Sequence, residues 1–347
     1  MAMADVTVRG AGIFGLSIAW ACARHGARVA VVDPHGPGAG ASGGVVGALA
    51  PHVPENWNAK KAFQFDSLMM AEAFWTDVAM TGGVSPGYAR TGRLQPVADS
   101  AALDLARARG REAQTLWQGA ATWQVISAGE ALGWAPVSPT GWLIRDTLTA
   151  RLHPARAVAA LTAALQARGC EVVPEAPDRG AVVWATGAAG LAELSQAFGR
   201  NLGMGIKGQA AVLDAALPAD APQLFADGVH VVPHADGKVA IGSTTEREYD
   251  DPASTDARLD DVLAAARAAV PALAEAPVIA RWAGLRPRAR SRAPVLGPWP
   301  RREGHFVANG GFKIGFGMAP KVAQVMARLV LGNHDEIPED FRLESCL

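Results

Sequence analysis

Short apolar runs alternate with glycine over the first 34 residues. Residues 6–8 form a β-branched run that is typical of a strand, and residues 16–24 form an apolar stretch of helical character. His25-Gly26 closes that helix, and residues 28–32 return to a buried-strand pattern that ends at Asp33-Pro34. This order predicts a strand–helix–strand unit.

The same two patterns recur along the rest of the chain. Apolar residues at helical spacing, often in alanine-rich stretches, predict helices over residues 61–80, 154–168, 256–274 and about 319–331. Short apolar and β-branched runs predict strands within residues 170–173, 181–184, 208–213, 229–241 and 305–308. Residues 82–94 are rich in turn formers, and we interpret them as the start of a second region.

Composition narrows the class of protein. The chain has 347 residues, half of them hydrophobic, which is enough for a large core and predicts two domains. A formal net charge of −1 gives no general field for holding nucleic acid or an anionic membrane. No apolar run reaches the roughly 18 residues of a membrane span, and no basic segment of a signal peptide precedes the first strand. Cys22, Cys170 and Cys346 lie far apart without metal-ligand spacing, so we predict a reduced, cytoplasmic protein with no metal site.

The first chemical motif is Gly10-Ala11-Gly12-Ile13-Phe14-Gly15, between the first strand and the first helix. Glycines at this spacing let the backbone approach a pyrophosphate, whose charge meets free N–H groups and the positive end of the helix dipole. Asp33 ends the second strand, where a carboxylate can accept hydrogen bonds from an adenosine ribose. The alternative is that the glycines only allow close packing and that Asp33 caps a turn. The fingerprint predicts a dinucleotide site but does not separate NAD from FAD.

A run of small residues follows, from Gly40 to Leu49, and would let a bulky ring system lie against the backbone. With this run the sequence resembles the amine-oxidising flavoprotein family that contains glycine oxidase, D-amino-acid oxidase and monomeric sarcosine oxidase. Further matches to the family follow in order at residues 185–187, 207–209, 231–233, 237–242, 282–287 and 310–316. The most specific is Trp282-Ala283-Gly284-Leu285-Arg286-Pro287, which is similar to glycine oxidase.

The resemblance implies a fold of α/β and α+β class. A discontinuous Rossmann-type FAD-binding domain would comprise residues 1–84, 150–206 and 285–347. A second domain, mainly antiparallel sheet, would comprise residues 85–149 and 207–284 and would cover the flavin with its sheet. The implied cofactor is FAD, and the lack of cysteine between Cys170 and Cys346 favours non-covalent binding.

Cofactor contacts are carried over by position from the family. The implied set is Gly10, Gly12, Ile13, Phe14 and Gly15 at the pyrophosphate, Asp33 and Pro34 at the ribose, Ala41 and Ser42 at the ribityl and phosphate side, Gly47, Ala48 and Leu49 at the isoalloxazine, Ala185, Thr186 and Gly187 on the second adenosine-side strand, and Gly311, Lys313, Ile314, Gly315 and Phe316 at the pyrimidine end. The helix after Pro320 is expected to direct its N-terminal end toward the flavin.

Arg286 is the predicted substrate residue, because it occupies the family's carboxylate-binding position and a guanidinium fork fits a carboxylate bidentately. From the residues alone a surface arginine in a basic strand is the favoured interpretation, since Arg281, Arg288, Arg290 and Arg292 lie nearby. His230 either forms a hydrogen bond with the substrate or ends a strand.

The implied reaction is hydride transfer from the Cα of a small amino acid, or an N-substituted one, to flavin N5, after which the imino acid is hydrolysed to a keto acid and an amine. The flavin performs this step, so no catalytic side chain is assigned.

Some features are left open by the sequence. Oxygen or a quinone could reoxidise the flavin, and the oligomeric state is not predicted. The segment 171–181 is shorter than in the family, so adenine contacts there are not assigned, and departures near residues 234 and 311–314 mean that the substrate need not be glycine.

Two alternative classes of protein remain. One is a flavin module that oxidises a carboxymethylamino group in tRNA, which would need a basic patch within residues 281–302. The other is an NAD-dependent or non-catalytic nucleotide-binding protein.

Overall fold

The computed structural model describes residues 5–131, 133–332 and 334–347, and within these ranges the chain forms two large sheets and a two-stranded ribbon. The strands, in chain order, are β1 (Val6–Arg9), β2 (Val29–Val32), β3 (Ala48–Leu49), β4 (Arg93–Pro96), β5 (Trp123–Ser127), β6 (Trp142–Asp146), β7 (Ala150–Arg151), β8 (Val172–Val173), β9 (Ala181–Trp184), β10 (Gly203–Leu213), β11 (Gln223–Ala226), β12 (Val229–Pro233), β13 (Val239–Gly242), β14 (Val278–Ala289), β15 (Val295–Pro298) and β16 (His305–Asn309). The helices are α1 (Ile13–Arg24), α2 (Ala59–Gly82), α3 (Ser100–Leu116), α4 (Pro154–Gln166), α5 (Gly187–Phe198), α6 (Ala257–Ala269) and α7 (Gly315–Gly332).

The first sheet has six strands in the order β15-β16-β9-β1-β2-β8. All its neighbours pair in parallel except the edge pair β15–β16. Its central strands are runs of valine buried on both sides, as expected for a parallel sheet covered by helices. Residues 10, 33, 185 and 309 all lie at the carboxyl ends of its strands, which is the edge where such sheets bind ligands. The predicted strand–helix–strand unit is therefore present as β1–α1–β2.

Helix α7 differs from its predicted start. It begins at Gly315 rather than near residue 319, so Pro320 lies inside the helix instead of before it. A proline there removes one helical hydrogen bond. The buried side chains of the first turns, such as Met318 and Val322, keep this end helical through contacts with α1 and α2. Tertiary packing thus overrides the local preference on which the prediction rested.

The second sheet has eight strands in the order β14-β10-β13-β12-β11-β4-β6-β5 and is mainly antiparallel. Helix α6 packs on one of its faces over an apolar cluster that includes Ala211, Leu224, Val231 and Ile241. Because side chains alternate along a strand, the residues between these point to the opposite face. That opposite face meets the small-residue run of residues 40–49, since a Cβ added at Gly242 would lie 3.0 Å from Val46.

Several elements extend beyond the predicted ones. Strand β10 begins five residues earlier than predicted, and β14, α3 and α5 were not predicted as continuous elements. The proposed domain boundaries at 206/207 and 284/285 fall within β10 and β14, which pair with each other from Gly203↔Ala289 onward. The assignment of residues to two domains therefore stays a prediction.

Candidate active site

The glycine loop between β1 and α1 is shaped by close backbone contacts. Gly10 has a φ of +105°, and a Cβ there would lie 2.3 Å from the carbonyl oxygen of Ala185. A Cβ on Gly15 would lie 1.9 Å from the carbonyl oxygen of Gly10. Gly12 differs, because a Cβ there would meet only the hydroxyl of Ser42, at 3.3 Å. Gly10 and Gly15 therefore hold the loop against the sheet, while Gly12 leaves its outer side open.

Asp33 and Ser42 fix the same loop from two sides. The carboxylate of Asp33 accepts from the N–H of Ala11 (2.8 Å) and from the N–H of His35 (2.9 Å). The hydroxyl of Ser42 accepts from the N–H of Ile13 (2.9 Å). Gly12 is the N-cap of α1 and has no side chain with which to satisfy the other first-turn N–H groups. An anion at this helix end would meet free donors and the positive end of the helix dipole.

The small-residue run passes between the two sheets. Ala41–Gly43 is a short 3-10 helix, and Ala48–Leu49 pairs with Ala150–Arg151 in the two-stranded ribbon. Gly47 is indispensable to this path, because a Cβ there would lie 1.9 Å from the carbonyl oxygen of Leu152. The run is thus anchored on one side while its small residues face the second sheet.

Two further predicted cofactor segments, residues 185–187 on the adenosine side and residues 311–316 at the pyrimidine end, both contact the glycine loop or the start of α1. Ala185 donates its N–H to Arg9 (2.7 Å), and the amide of Asn309 donates to the carbonyl of Gly187 (2.9 Å). A Cβ on Gly311 would lie 3.0 Å from the ring of Phe14, so the start of α7 lies beside the start of α1. Two helix N-terminal ends therefore converge next to the small-residue run.

The residues present fit a bound FAD. The glycine loop leaves open space and free N–H groups at the start of α1, Asp33 ends β2 beside it, and the small-residue run continues from there toward the antiparallel sheet. Cys22, Cys170 and Cys346 are all buried, and burial raises the pKa of the Cys22 thiol to about 12. These cysteines lie in the packed core, which agrees with non-covalent binding.

Strand register collects the substrate-side residues on the inner face of the antiparallel sheet, defined as the face toward residues 40–49. The register pairs Arg286 with Ile206, Gly284 with Gly208, Ala210 with Gly242, and Gly242 with His230. Across an antiparallel pair, directly opposed side chains share a face. Arg286, Gly208, Gly242 and His230 therefore lie on one face although they come from four strands.

The guanidinium of Arg286 lies over the backbone of the neighbouring strand. Its Nη1 donates to the carbonyl oxygen of Thr244 (3.2 Å). Within the described ranges no acidic side chain pairs directly with it, and Glu246 acts on it only at longer range. Burial lowers the pKa of Arg286 to about 10, partly opposed by Glu246, so the group remains charged at neutral pH. A charged fork without a carboxylate partner is suited to binding one.

His230 is held neutral at the same face. Burial lowers its pKa to about 3, and the positive charges of Arg93, Lys313 and Arg286 add to the effect. Its ring centroid lies 4.6 Å from that of Phe225, and its Nδ1 is buried without a hydrogen-bond partner among the described residues. An uncharged imidazole with a free ring nitrogen can form a hydrogen bond with a substrate.

Lys313 lies two residues after Gly311, in the loop of residues 310–316. Its side chain is open to solvent, yet neighbouring protein partly desolvates the ammonium, and this together with Arg286 lowers the pKa of Lys313. Its Nζ lies 5.8 Å from the ring centroid of Phe312, whose N–H donates to Pro287 (3.0 Å). The loop is thus tied to β14 just after Arg286.

Sequence reasoning missed the residues that support Arg286 and His230. Arg93 is buried on β4, where its Nε pairs with Asp146 at 2.9 Å. Thr244 and Glu246 lie beyond β13, and Glu246 accepts from Gln209 (2.9 Å) and Arg258 (2.6 Å). These hydrogen bonds hold the pKa of Glu246 below its ordinary value, although burial alone would raise it. Their signal in the sequence is weak, because the partners are 12 to 53 residues apart.

The basic segment 281–302 does not gather into one patch. Arg281 pairs with Asp260 of α6, and Arg302 lies over the rings of Trp184 and Trp299. Arg286 and Arg288 alternate with Arg281 across β14 and so point to the other face.

Of the helices in the part of the chain that the structure describes, none has the length and apolar character needed to cross a membrane.

Fold and site together define a flavin-dependent oxidoreductase. The chain belongs to the FAD dependent oxidoreductase family, which it matches over residues 5–329, and FAD is its cofactor. It is 28% identical to the glycine oxidase of Geobacillus kaustophilus, with 94% of this chain and 92% of the relative covered. It is 30% identical to the putative thiamine biosynthesis oxidoreductase ThiO of Rhizobium etli, covering 94% and 96%.

The fold also resembles solved structures of amine oxidoreductases. The crystal structure of iminodiacetate oxidase from Chelativorans sp. BNC1 superposes with a TM-score of 0.84 at 23% identity, covering 97% of this chain and 98% of the other. At this identity the likeness concerns the fold. It confirms the predicted combination of a Rossmann-type parallel sheet with a mainly antiparallel one.

Proposed function

We propose that this enzyme oxidises the C–N bond of a small amino acid or N-substituted amino acid, with Arg286 binding the substrate carboxylate. The observation that carries the proposal is the Arg286 guanidinium, charged and without an acidic partner among the described residues, on the inner face of the antiparallel sheet. The isoalloxazine ring is proposed to pack against the small-residue run of residues 40–49, opposite this face. The glycine oxidases among the relatives support an amino acid as substrate.

The chain's contribution to the reaction is binding and orientation. FAD, when bound, supplies the acceptor for the hydrogen and two electrons that leave the substrate carbon. Arg286 holds the carboxylate in a fixed direction, which restricts the adjoining Cα–H to one approach toward the ring. The remaining proposed contacts are those carried over from the family for the pyrophosphate, ribose and ring.

The charge of the site favours a neutral amine. Burial and then the positive charges of Arg93, Lys313 and Arg286 lower the pKa of His230, and the same charges would lower the pKa of an ammonium bound nearby. Loss of a hydride from Cα requires the unprotonated amine, so this field assists the reaction without a dedicated base. His230, neutral and with a free ring nitrogen, is proposed to accept a hydrogen bond from that amine.

The proposal is tested by anaerobic reduction of the purified holoprotein. Four compounds of matched size are compared: an amino acid, its N-methyl derivative, the amine that lacks the carboxylate, and the α-hydroxy acid that lacks the nitrogen. We expect the first two to bleach the flavin absorbance and the last two to do so poorly. Equal reduction by the α-hydroxy acid would contradict C–N oxidation, and equal reduction by the amine would contradict a carboxylate anchor.

The electron acceptor is addressed with the same protein. Reoxidation of the reduced flavin is followed in air-saturated buffer and, separately, with a soluble quinone. The glycine oxidases among the relatives favour oxygen, and we propose oxygen as the first acceptor to test. Reoxidation by quinone but not by air would make the enzyme a dehydrogenase.

A further inference from the structure

Gly208 occupies an unusual position for a glycine. It lies inside the eleven-residue strand β10, directly opposite a second glycine, Gly284, on β14. Glycine weakens a strand interior, so its presence there marks a bulge or a close approach. Gly208 is not among the glycines with positive φ, and the pairing around it is regular. Space rather than backbone conformation must explain it.

The space above Gly208 is filled by the guanidinium of Arg286. A Cβ added at Gly208 would lie 2.0 Å from Nη1, 2.1 Å from Cζ and 2.2 Å from Nη2. Ordinary contact needs about 3.5–4.0 Å, so one methyl group would push the guanidinium out by roughly 1.5 Å. The neighbouring hollow at Gly284 is filled in the same way by the indole of Trp282, at 2.5 Å from the added Cβ.

We propose that Gly208 is a positioning residue for the carboxylate anchor: its missing side chain forms the seat that sets the depth of the Arg286 guanidinium beneath the substrate. The carbonyl of Thr244 then fixes the rotation of the guanidinium through Nη1. The inference rests on the proposed function, because it assigns a role to Gly208 only through Arg286. Displacement of about 1 Å at a bound substrate is enough to cost about a hundredfold in rate.

The test compares four FAD-loaded variants with the unmodified protein: Gly208→Ala, Arg286→Ala, both together, and Gly205→Ala. Gly205 is the matched control, because it lies in the same strand and its added Cβ would meet only the side chains of Ala188 and Leu285, at 3.3 Å. The probe is propionate, a carboxylate without an amine, and its Kd is read from the change that it causes in the flavin absorbance. The rate of flavin reduction by the amine that lacks a carboxylate is measured in parallel.

We expect Gly208→Ala to weaken propionate binding about tenfold or more, comparable to loss of one charge-assisted hydrogen bond. Gly205→Ala should bind it as the unmodified protein does. In the Arg286→Ala background, Gly208→Ala should add no further loss, because the displaced group is absent. Reduction by the carboxylate-free amine should change much less than propionate binding in Gly208→Ala, whereas a general disturbance of the sheet would impair both.

Two outcomes separate this inference from the proposed function. If Arg286→Ala loses propionate binding while Gly208→Ala binds propionate normally, the role proposed for Gly208 is wrong. Arg286 would still be supported as the carboxylate-binding residue. If Arg286→Ala binds propionate normally, the anchor itself is wrong. Should Gly208→Ala fold poorly, the double variant decides, because removing the guanidinium makes room for the methyl group. A double variant that regains FAD and thermal stability supports the seat, and one that remains as defective as Gly208→Ala overturns it.

Discussion

The glycine loop at α1 and the inner face of the antiparallel sheet solve two binding problems in different ways. The loop offers backbone N–H groups and a helix end, shaped mainly by residues 10–42 with one close backbone contact from Ala185. The inner face offers side chains from β14, β12 and β4, brought together by strand register, with Arg286, His230 and Arg93 among its polar groups. The first is rigid because backbone meets backbone. The second depends on where flexible side chains are seated.

This difference predicts how each region responds to substitution. In the loop a single methyl group meets carbonyl oxygens that cannot move aside, so binding and folding should fail together. On the inner face, a lost side chain should remove substrate binding while the fold and the FAD remain. Independence of the two responses is the property to test.

Gly15→Ala should have the largest effect. Its Cβ would lie 1.9 Å from the carbonyl oxygen of Gly10, and overpacking of this kind costs about 1–3 kcal/mol or more. We expect a lower thermal midpoint and loss of most of the FAD, measured as flavin absorbance per protein. Gly12→Ala is the control for the thermal midpoint of the FAD-free protein, because its Cβ would meet only the movable hydroxyl of Ser42 at 3.3 Å. Equal stability of the two variants would show that the backbone contact is not decisive.

Asp33→Ala should weaken FAD binding without affecting chemistry. The variant loses the carboxylate that accepts from Ala11 and is proposed to accept from the ribose. Loss of a charge-assisted hydrogen bond predicts a Kd for FAD about 10- to 150-fold higher. Turnover per bound flavin should stay within about twofold of the unmodified protein, since the ribose is remote from the reacting carbon. A matching fall in turnover per flavin would contradict this placement.

His230→Gln should have the smallest effect at neutral pH, and its effect should appear in the pH dependence of stability. The pKa of His230 is about 3 in the folded protein and about 6.5 when unfolded, so between these values the unfolded state binds more protons. Stability should therefore fall as pH decreases from about 6.5 to 3, by at most about 1.4 kcal/mol per pH unit from this one group. The variant should lose less stability than the unmodified protein between pH 7 and pH 4.5.

The control for that experiment is His25→Gln, at the exposed end of α1. Chemical denaturation of the holoprotein at both pH values gives the slopes. A slope unchanged by His230→Gln would show that His230 is not held neutral in the folded state.

The same contrast explains what could be predicted from the sequence. The glycine loop, Asp33 and the β1–α1–β2 unit follow from adjacent residues, because their geometry is set within about 25 positions of chain. Arg93 and Thr244 were missed because their nearness to His230 and Arg286 arises only from register across six strands, β14 to β4. The early start of α7 was missed because contacts with α1 and α2 keep Pro320 helical. The roles of the individual site residues stay predictions.

Arg286 is proposed to bind the substrate carboxylate, while the glycine loop and residues 40–49 are proposed to bind FAD. Anaerobic flavin reduction is measured for the unmodified protein, Arg286→Ala and Arg286→Lys at matched FAD content, with an amino acid and with its decarboxylated amine. We predict that Arg286→Ala loses about 10- to 150-fold in reduction efficiency with the amino acid, that Arg286→Lys recovers only part because a point charge replaces a fork, and that the slow reaction of the amine changes much less, because it loses only a nearby positive charge. Reduction of Arg286→Ala by the amino acid at the original rate and concentration dependence would contradict the account.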